Sequence, residues 1–219
     1  MLRSCNDFAG MSAENMEQNV DEIPWPKAGD NLFQSGDDWW NNASLEHATY
    51  GWELYASGYK EAADCLAEHV AETGRRANLF VYPIAFLYRH YLELRLKELI
   101  IAGQDLLERD PDLRHVHRLD LLWTTCRSIL EEVWSNSSRD PLNAVEECIK
   151  QFVQIDPESI SFRYPANKDG KPTLPQLNHI NIRNLKEVMN RVAALLEAAI
   201  TGISVYIDSR NSMQADYYR

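Results

Sequence analysis

The stretch from Tyr82 to Lys97 constrains the fold more than any other part of the chain, because most of its residues are apolar. On an α-helix, four of its charged or titratable side chains fall on one stripe about 100° wide. These four are Arg89, His90, Glu93 and Lys97. A helix this apolar must lie at the centre of a bundle, so its polar stripe is expected to face solvent, a cleft or a partner.

Size and charge limit the classes of protein to which the chain belongs. Its 219 residues, 45% of them hydrophobic, are enough for one sizeable core, so one domain is expected. The net charge of −11 argues against broad, sequence-independent binding of nucleic acid. Ten acidic residues against three basic ones place −7 of this charge in residues 1–60. The remainder is only mildly acidic, and a local basic groove stays open as an alternative.

The cysteines and the apolar segments favour a cytoplasmic, non-membrane protein. No Cys-x-x-Cys pair is present, and buried free thiols fit a reducing compartment (Cys5, Cys65, Cys126, Cys148). No signal peptide is expected, because the first residues include no apolar stretch. The longest apolar run, Val192 to Ile207, is interrupted by Glu197 and is predicted to be too short to span a bilayer.

The distribution of polar and apolar residues predicts two regions. Residues 1–42 are acidic and rich in Gly, Asn and Pro, which is typical of an irregular arm. Residues 43–219 follow a helical period, with helices predicted over about 44–73, 79–107, 118–134, 140–153 and 181–208. Pro83 is expected in the first turn of the second helix, where a missing N–H is tolerated. We predict an all-α, antiparallel bundle of four to five long helices, with an ordered loop or small hairpin over 161–175.

Three motifs, in a fixed order, carry a resemblance to a known family. They are Glu93-Leu-Arg-Leu-Lys97 on the central helix, His117-Arg-Leu-Asp-Leu-Leu122 at the start of the next, and Arg163-Tyr-Pro165 before the last. In these motifs and their order, roughly residues 45–207 resemble the HEPN superfamily of helical bundles. The resemblance implies one of two kinds of function. Some members are metal-independent endoribonucleases, often dimeric, of toxin–antitoxin or phage-defence systems, and others are binding or assembly modules.

The nuclease members carry an Arg followed, after four to six residues, by a His, and this chain departs from that pattern. After Arg163 the corresponding positions hold Lys168, Asp169 and Gly170. The one matching spacing, Arg109 to His115, lies between the second and third helices rather than before the last one. The first hypothesis is therefore a HEPN-like interaction module that dimerises or binds a protein or nucleic-acid partner.

The second hypothesis is an endoribonuclease with an atypical Arg/His/Glu site. Arg163 would bind the scissile phosphate through its planar guanidinium. His117 or His90 would move the proton, because imidazole titrates near neutral pH, and Glu93 would orient the His or Arg. The candidate binding residues are Arg89, Lys97 and Tyr164. No metal or other cofactor is expected, whereas a homodimer is expected and RNA stays open as a partner.

A purely structural interpretation of the same residues also stays open. Arg89–Glu93 and Glu93–Lys97 have the i,i+4 spacing of ion pairs on a partly wet helix face. In this interpretation Arg163 is a structural guanidinium that ties the preceding loop to Glu93 or to Asp156. In both interpretations, Arg163 is expected to fold back against Glu93 of the central helix.

Overall fold

The computed structural model describes residues 25–45, 51–110 and 117–217. The chain divides into two compact units, Met1–His47 and Ala48–Arg219. In the first unit, a short 3₁₀ helix spans Trp39–Asn41. The side-chain amide of Asn42 closes the turn around it, accepting from the Gly36 N–H at 2.8 Å and donating to the Gly36 carbonyl at 2.7 Å.

The second unit is all-helical, which confirms the all-α prediction. Its described residues form five α-helices and no named strand. The helices are α1 (Gly51–Thr73), α2 (Ala77–Leu106), α3 (Leu119–Val133), α4 (Asp140–Ile155) and α5 (Ile182–Tyr217). Between α4 and α5, an isolated antiparallel bridge joins Ala166 to Pro172.

Helix α2 lies at the centre of this unit, as its apolar sequence predicts. Leu92 and Leu96 are fully buried, and the helix contacts α1, α3 and α5. Gly103 lets α3 approach closely, because a Cβ at this position would overlap Cγ2 of Ile129. The stripe-bearing helix is therefore held on several sides by other helices.

Two helix boundaries differ from the prediction. Pro83 is the seventh residue of α2, so its expected place in the first turn is wrong. The helix begins earlier because Ala77, Phe80 and Val81 pack against the core. Helix α5 continues beyond the predicted end at residue 208, and a tertiary contact holds this extension. Arg210 donates at 2.6 Å to the carbonyl of Asp105, near the end of α2.

Helix α5 is also more exposed than a core helix usually is. Within the described residues it is the one helix long and apolar enough, by length and composition alone, to cross a membrane. Only 28% of its most apolar window is buried. The sequence predicted that the run interrupted by Glu197 is too short to span a bilayer. By length and composition, the whole helix is long enough. A core helix passes the same test, and Met189, Leu196 and Ile203 are fully buried.

Candidate functional site

Arg89 is the buried centre of the predicted stripe and connects two loops to α2. Its side chain is fully buried. Nε donates to the Asp156 carbonyl at 3.0 Å, and Nη2 donates to the carbonyls of His117 at 3.2 Å and Pro157 at 3.3 Å. Burial lowers the pKa of Arg89, while the carboxylates of Asp156 and Glu93 counteract this change. One guanidinium thus holds both the segment before α3 and the segment after α4.

Asp156 completes this contact from the other side. One oxygen of its carboxylate lies 3.4 Å from Nε of Arg89. The other accepts the backbone N–H groups of Ile160 at 2.6 Å and Ser161 at 2.8 Å. Removing Arg89 would therefore loosen the loop that leads towards Arg163, as well as the α2 surface.

Glu93 lies one turn after Arg89 and has three cationic or titratable neighbours. Its Oε1 accepts from Nζ of Lys97 at 2.8 Å and lies 2.8 Å from Nδ1 of His117. Its Oε2 lies 3.5 Å from Nη1 of Arg89. Burial by itself would raise the pKa of Glu93, but the hydrogen bonds from Lys97 and His117 lower it below its ordinary value. The predicted i,i+4 ion pairs are confirmed, but they are buried rather than partly wet.

The ionised carboxylate of Glu93 determines which nitrogen of His117 carries a proton. A carboxylate only accepts hydrogen bonds, so Nδ1 of His117 must be the donor in this contact. The His117 side chain is 67% exposed, which leaves the ring open to solvent beyond this contact. Its arrangement with Glu93 is that of a carboxylate-oriented imidazole, able to accept a proton at Nε2.

His90 faces aromatic rings rather than an acid. Its ring meets Tyr59 edge-on at 4.4 Å between centroids and stacks on Phe86 at 5.8 Å. Burial is the main cause that lowers the pKa of His90, and the charge of Glu93 partly counteracts it. His90 therefore lies beside the cluster as a partly buried ring that burial favours in its neutral form.

Arg163 does not occupy the place that the sequence suggested for it. Its Nε donates at 2.5 Å to the Ser159 carbonyl, and its guanidinium lies 5.7 Å from the ring centroid of Phe86 and 5.5 Å from that of Tyr164. The predicted tie from Arg163 to Glu93 or Asp156 is wrong. Arg89 already occupies that position, and its positive charge repels a second guanidinium there. Arg163 and Tyr164 are both exposed instead.

The structure thus brings together Arg89, Glu93, Lys97 and His117 and leaves Arg163 and Tyr164 outside their ion pairs. Sequence reasoning missed Trp52, whose ring centroid lies 5.8 Å from Nζ of Lys97. It considered Asp156 only as a partner for Arg163. The signal that pointed to a loop anchor was the Asp156-Pro157 step at the end of α4, since Asp ends helices and caps turns.

A second surface lies along α5 and was not singled out by the sequence. A groove between α3, α4 and α5 includes Trp134, Leu142, Leu195, Ala198 and Gly202 in its lining. Further along α5, Val205, Tyr206 and Met213 are 58%, 46% and 66% exposed. We call the following residues the α5 face, because they lie within about 100° of one another around the helix: Leu195, Ala198, Gly202, Val205, Tyr206 and Met213.

No protein-family model, curated protein or solved structure matches the chain. The HEPN resemblance therefore stays a prediction that depends on its three motifs. The candidate match between Arg109 and His115 ends outside the described residues.

Proposed function

We propose that this protein is a HEPN-like helical interaction module that binds a protein partner through the α5 face. One observation carries the proposal: α5, the one helix among the described residues that is long and apolar enough to cross a membrane, leaves most of its apolar window unburied. An apolar surface of this kind, when contiguous, usually marks a site of protein or membrane interaction. The proposal keeps the antiparallel order of the helices, which the three-residue connection between α1 and α2 favours.

The charged cluster on α2 supports an architectural role for the residues that first suggested a catalytic site. The donors of Arg89 are directed to backbone carbonyls of both loops, and its side chain is fully buried. A phosphate needs an accessible cation, and Arg89 offers none. Lys97 is likewise directed to Glu93 and is largely buried. In this proposal the stripe locks the loops onto the bundle.

The charge of the chain gives independent support. A net charge of −11 repels a phosphate backbone and disfavours binding that depends on many Lys or Arg contacts. An apolar protein partner has no such requirement. The proposed partner is therefore a protein surface, and a homodimer is the simplest case.

One observation favours an endoribonuclease as a second candidate. His117 is oriented by a buried carboxylate and keeps its ring exposed, which suits a general base or acid. Arg163 is also exposed and lies in the loop that Asp156 and Arg89 anchor. This candidate would use His117 for proton transfer and Arg163 for phosphate binding, in a toxin or phage-defence role.

An RNA-cleavage assay separates the two candidates. Purified wild type, His117→Ala and Arg163→Ala are incubated with single-stranded and structured RNA in the presence of a chelator. His69→Ala is the matched control, because His69 is exposed on α1. The proposal predicts no cleavage by any of the four proteins. Cleavage by wild type and His69→Ala, lost in the other two variants, would refute it and establish the nuclease.

A further inference from the structure

We infer that a cavity between α4, α5 and the segment before α5 is a binding site for a small, uncharged aromatic molecule of one or two fused rings. The cavity has a volume of about 270 Å³, and we call it the α4–α5 cavity. Its α5 residues lie within 184–189, before the α5 face begins at Leu195, so the inference goes beyond the proposed binding of a protein partner. Three features support it: the size of the cavity, the side chains that line it and the segment that borders it.

The size of the α4–α5 cavity suits a small ring system. An engineered apolar cavity of about 150 Å³ in a different protein binds benzene, a single ring. At about 270 Å³, the α4–α5 cavity has room for a second ring or a substituent. Pockets for drug-sized ligands begin at about 300 Å³, so a long or extended molecule would not fit.

Aromatic and other apolar side chains form most of the lining. Phe152 on α4 and Phe162 in the loop after α4 supply two rings, and Met189 on α5 supplies a thioether. Rings and thioether sulfur both pack favourably against an aromatic guest. Ala85 lines the cavity from the central helix and is buried, so a larger side chain there would enter the space. An aliphatic guest would gain burial but none of the ring contacts.

The polar groups of the lining are amides, a thiol and an imidazole. None of the described residues that line the cavity is Asp, Glu, Lys or Arg, and the polar ones include Cys148, Gln151, His179 and Asn184. Burial raises the pKa of the Cys148 thiol, so this group stays protonated near neutral pH. A carboxylate or ammonium group on the guest would lose hydration without gaining an opposite charge. The lining therefore favours an uncharged molecule.

Two of these polar side chains are available to a ligand. The backbone N–H of Asn184 donates to the side chain of Asn181 at 3.0 Å. The side chain of Asn184 and the ring of His179 have no hydrogen-bond partner among the described residues. Either could bond to a single polar group on the guest and orient it in the cavity.

The segment before α5 offers a way in. Leu177, His179 and Ile180 line the α4–α5 cavity and also a second cavity, of about 460 Å³, so this segment borders open space on two sides. Among the described residues, the backbone N–H groups of Asn178, His179 and Ile180 have no hydrogen-bond partner, and that of Leu177 reaches the Leu174 carbonyl only at 3.4 Å. A small displacement of the segment would admit a ligand without unfolding a helix.

The first experiment uses the cysteines of the full chain as reporters. Cys148 lines the cavity, Cys65 is exposed on α1 and Cys126 is buried in the core. Labelling by N-ethylmaleimide is followed for each cysteine by mass spectrometry of peptides, with increasing indole as the probe. The pH is mildly alkaline because the pKa of Cys148 is raised. We expect indole to bind with a dissociation constant at or below about 1 mM.

The expected protection follows from mass action. At ten times its dissociation constant, indole leaves only about a tenth of the sites free, so labelling of Cys148 should slow by about tenfold. Labelling of Cys65 should stay unchanged. The inference is overturned if indole gives no protection up to its solubility limit, or if it slows Cys65 and Cys148 equally.

Two further probes test the chemical class of the ligand. Indole-3-carboxylate keeps the fused rings and adds a negative charge, and n-hexanol is an uncharged aliphatic molecule of similar hydrophobicity. Both should bind at least about tenfold more weakly than indole. Equal or tighter binding of the carboxylate would overturn the assignment to uncharged molecules. Equal or tighter binding of n-hexanol would overturn the assignment to aromatic ones.

A cavity-filling variant tests the location. Val188 lines the cavity, so Val188→Phe should abolish the binding of indole measured by ligand-observed NMR. Val205→Phe is the matched control, because it makes the same substitution at an exposed position of α5 outside the cavity, and it should bind indole as wild type does. Gln151→Trp fills the cavity from an exposed position on α4 and replaces Val188→Phe if circular dichroism shows that Val188→Phe does not fold. Undiminished binding in a folded cavity-filling variant would overturn the inference.

These outcomes are independent of the RNA-cleavage assay. The lining of the cavity includes neither His117 nor Arg163 and no residue of the α5 face. A failure of indole to bind therefore leaves the proposed function unchanged, and RNA cleavage by the wild type refutes the proposed function without affecting the cavity.

Discussion

Replacing Arg89 by Met should produce the largest loss of stability of any single change in the polar stripe. The substitution keeps an unbranched side chain in a fully buried position and removes the charge. It also removes three hydrogen bonds to the carbonyls of His117, Asp156 and Pro157. The carboxylates of Glu93 and Asp156 then lose their shared cation.

The structure sets the magnitude of this loss. Removing one partner of a buried ion pair typically costs about 3–5 kcal/mol. Nη1 of Arg89 and Oδ2 of Asp156 are buried and have no hydrogen-bond partner among the described residues. Because this contact is incompletely satisfied, we expect the lower end, about 3 kcal/mol. For a unit of this size that corresponds to a decrease in Tm of about 6–12 °C.

Urea denaturation followed by circular dichroism measures this free energy of unfolding. Arg109→Met is the matched control, because Arg109 makes a two-bond ion pair with Glu132 in which both side chains are about half exposed. That pair should contribute less than about 1 kcal/mol. The reasoning is refuted if Arg89→Met costs no more than Arg109→Met.

Hydrogen exchange adds a local measurement of the same change. The amides of Ile160 and Ser161 bond to Asp156, which lies against Arg89. In Arg89→Met both amides should exchange faster than in wild type, while Arg109→Met should leave them unchanged. Uniform acceleration throughout the bundle would show global destabilisation without a specific effect on the loop.

Three other predictions concern packing and pH. Gly103→Ala should destabilise by about 1–3 kcal/mol because the new methyl group meets Ile129, whereas Gly58→Ala, with nothing within 4 Å, should stabilise α1 by about 0.5–1 kcal/mol in urea titrations. The pKa of Glu93 is lowered, so the stabilisation from its ionised carboxylate is present above about pH 4.3 and is lost as the pH falls through the folded-state pKa. Glu93→Gln should therefore flatten this part of a stability–pH curve. Burial lowers the pKa of His90, so the unfolded chain binds a proton at a higher pH than the folded chain does. The free energy of unfolding should therefore decrease as the pH falls below about 6.5, and it should decrease less in His90→Gln. Equal slopes in wild type and either variant would contradict the corresponding assignment.

Much of the local structure was predictable because helical periodicity depends on neighbours in sequence. The apolar run around Leu92 identified the central helix, and the i,i+4 spacing identified the pairs of Glu93 with Arg89 and Lys97. The position of His117 beside Glu93 was only partly predictable from the sequence. A sequence motif placed them on successive elements but gave no distance between them.

Sequence alone determined that this chain forms long amphipathic helices with one charged stripe on the most apolar of them, because side chains three or four positions apart share a face whatever surrounds them. Only the tertiary structure decided that Arg89, rather than Arg163, meets Asp156. It alone decided that the stripe is buried and that α5 extends to Tyr217. These outcomes depend on which helices pack together and on contacts between residues such as Arg210 and Asp105, which are far apart along the chain. Periodicity carries no information about such distant pairs.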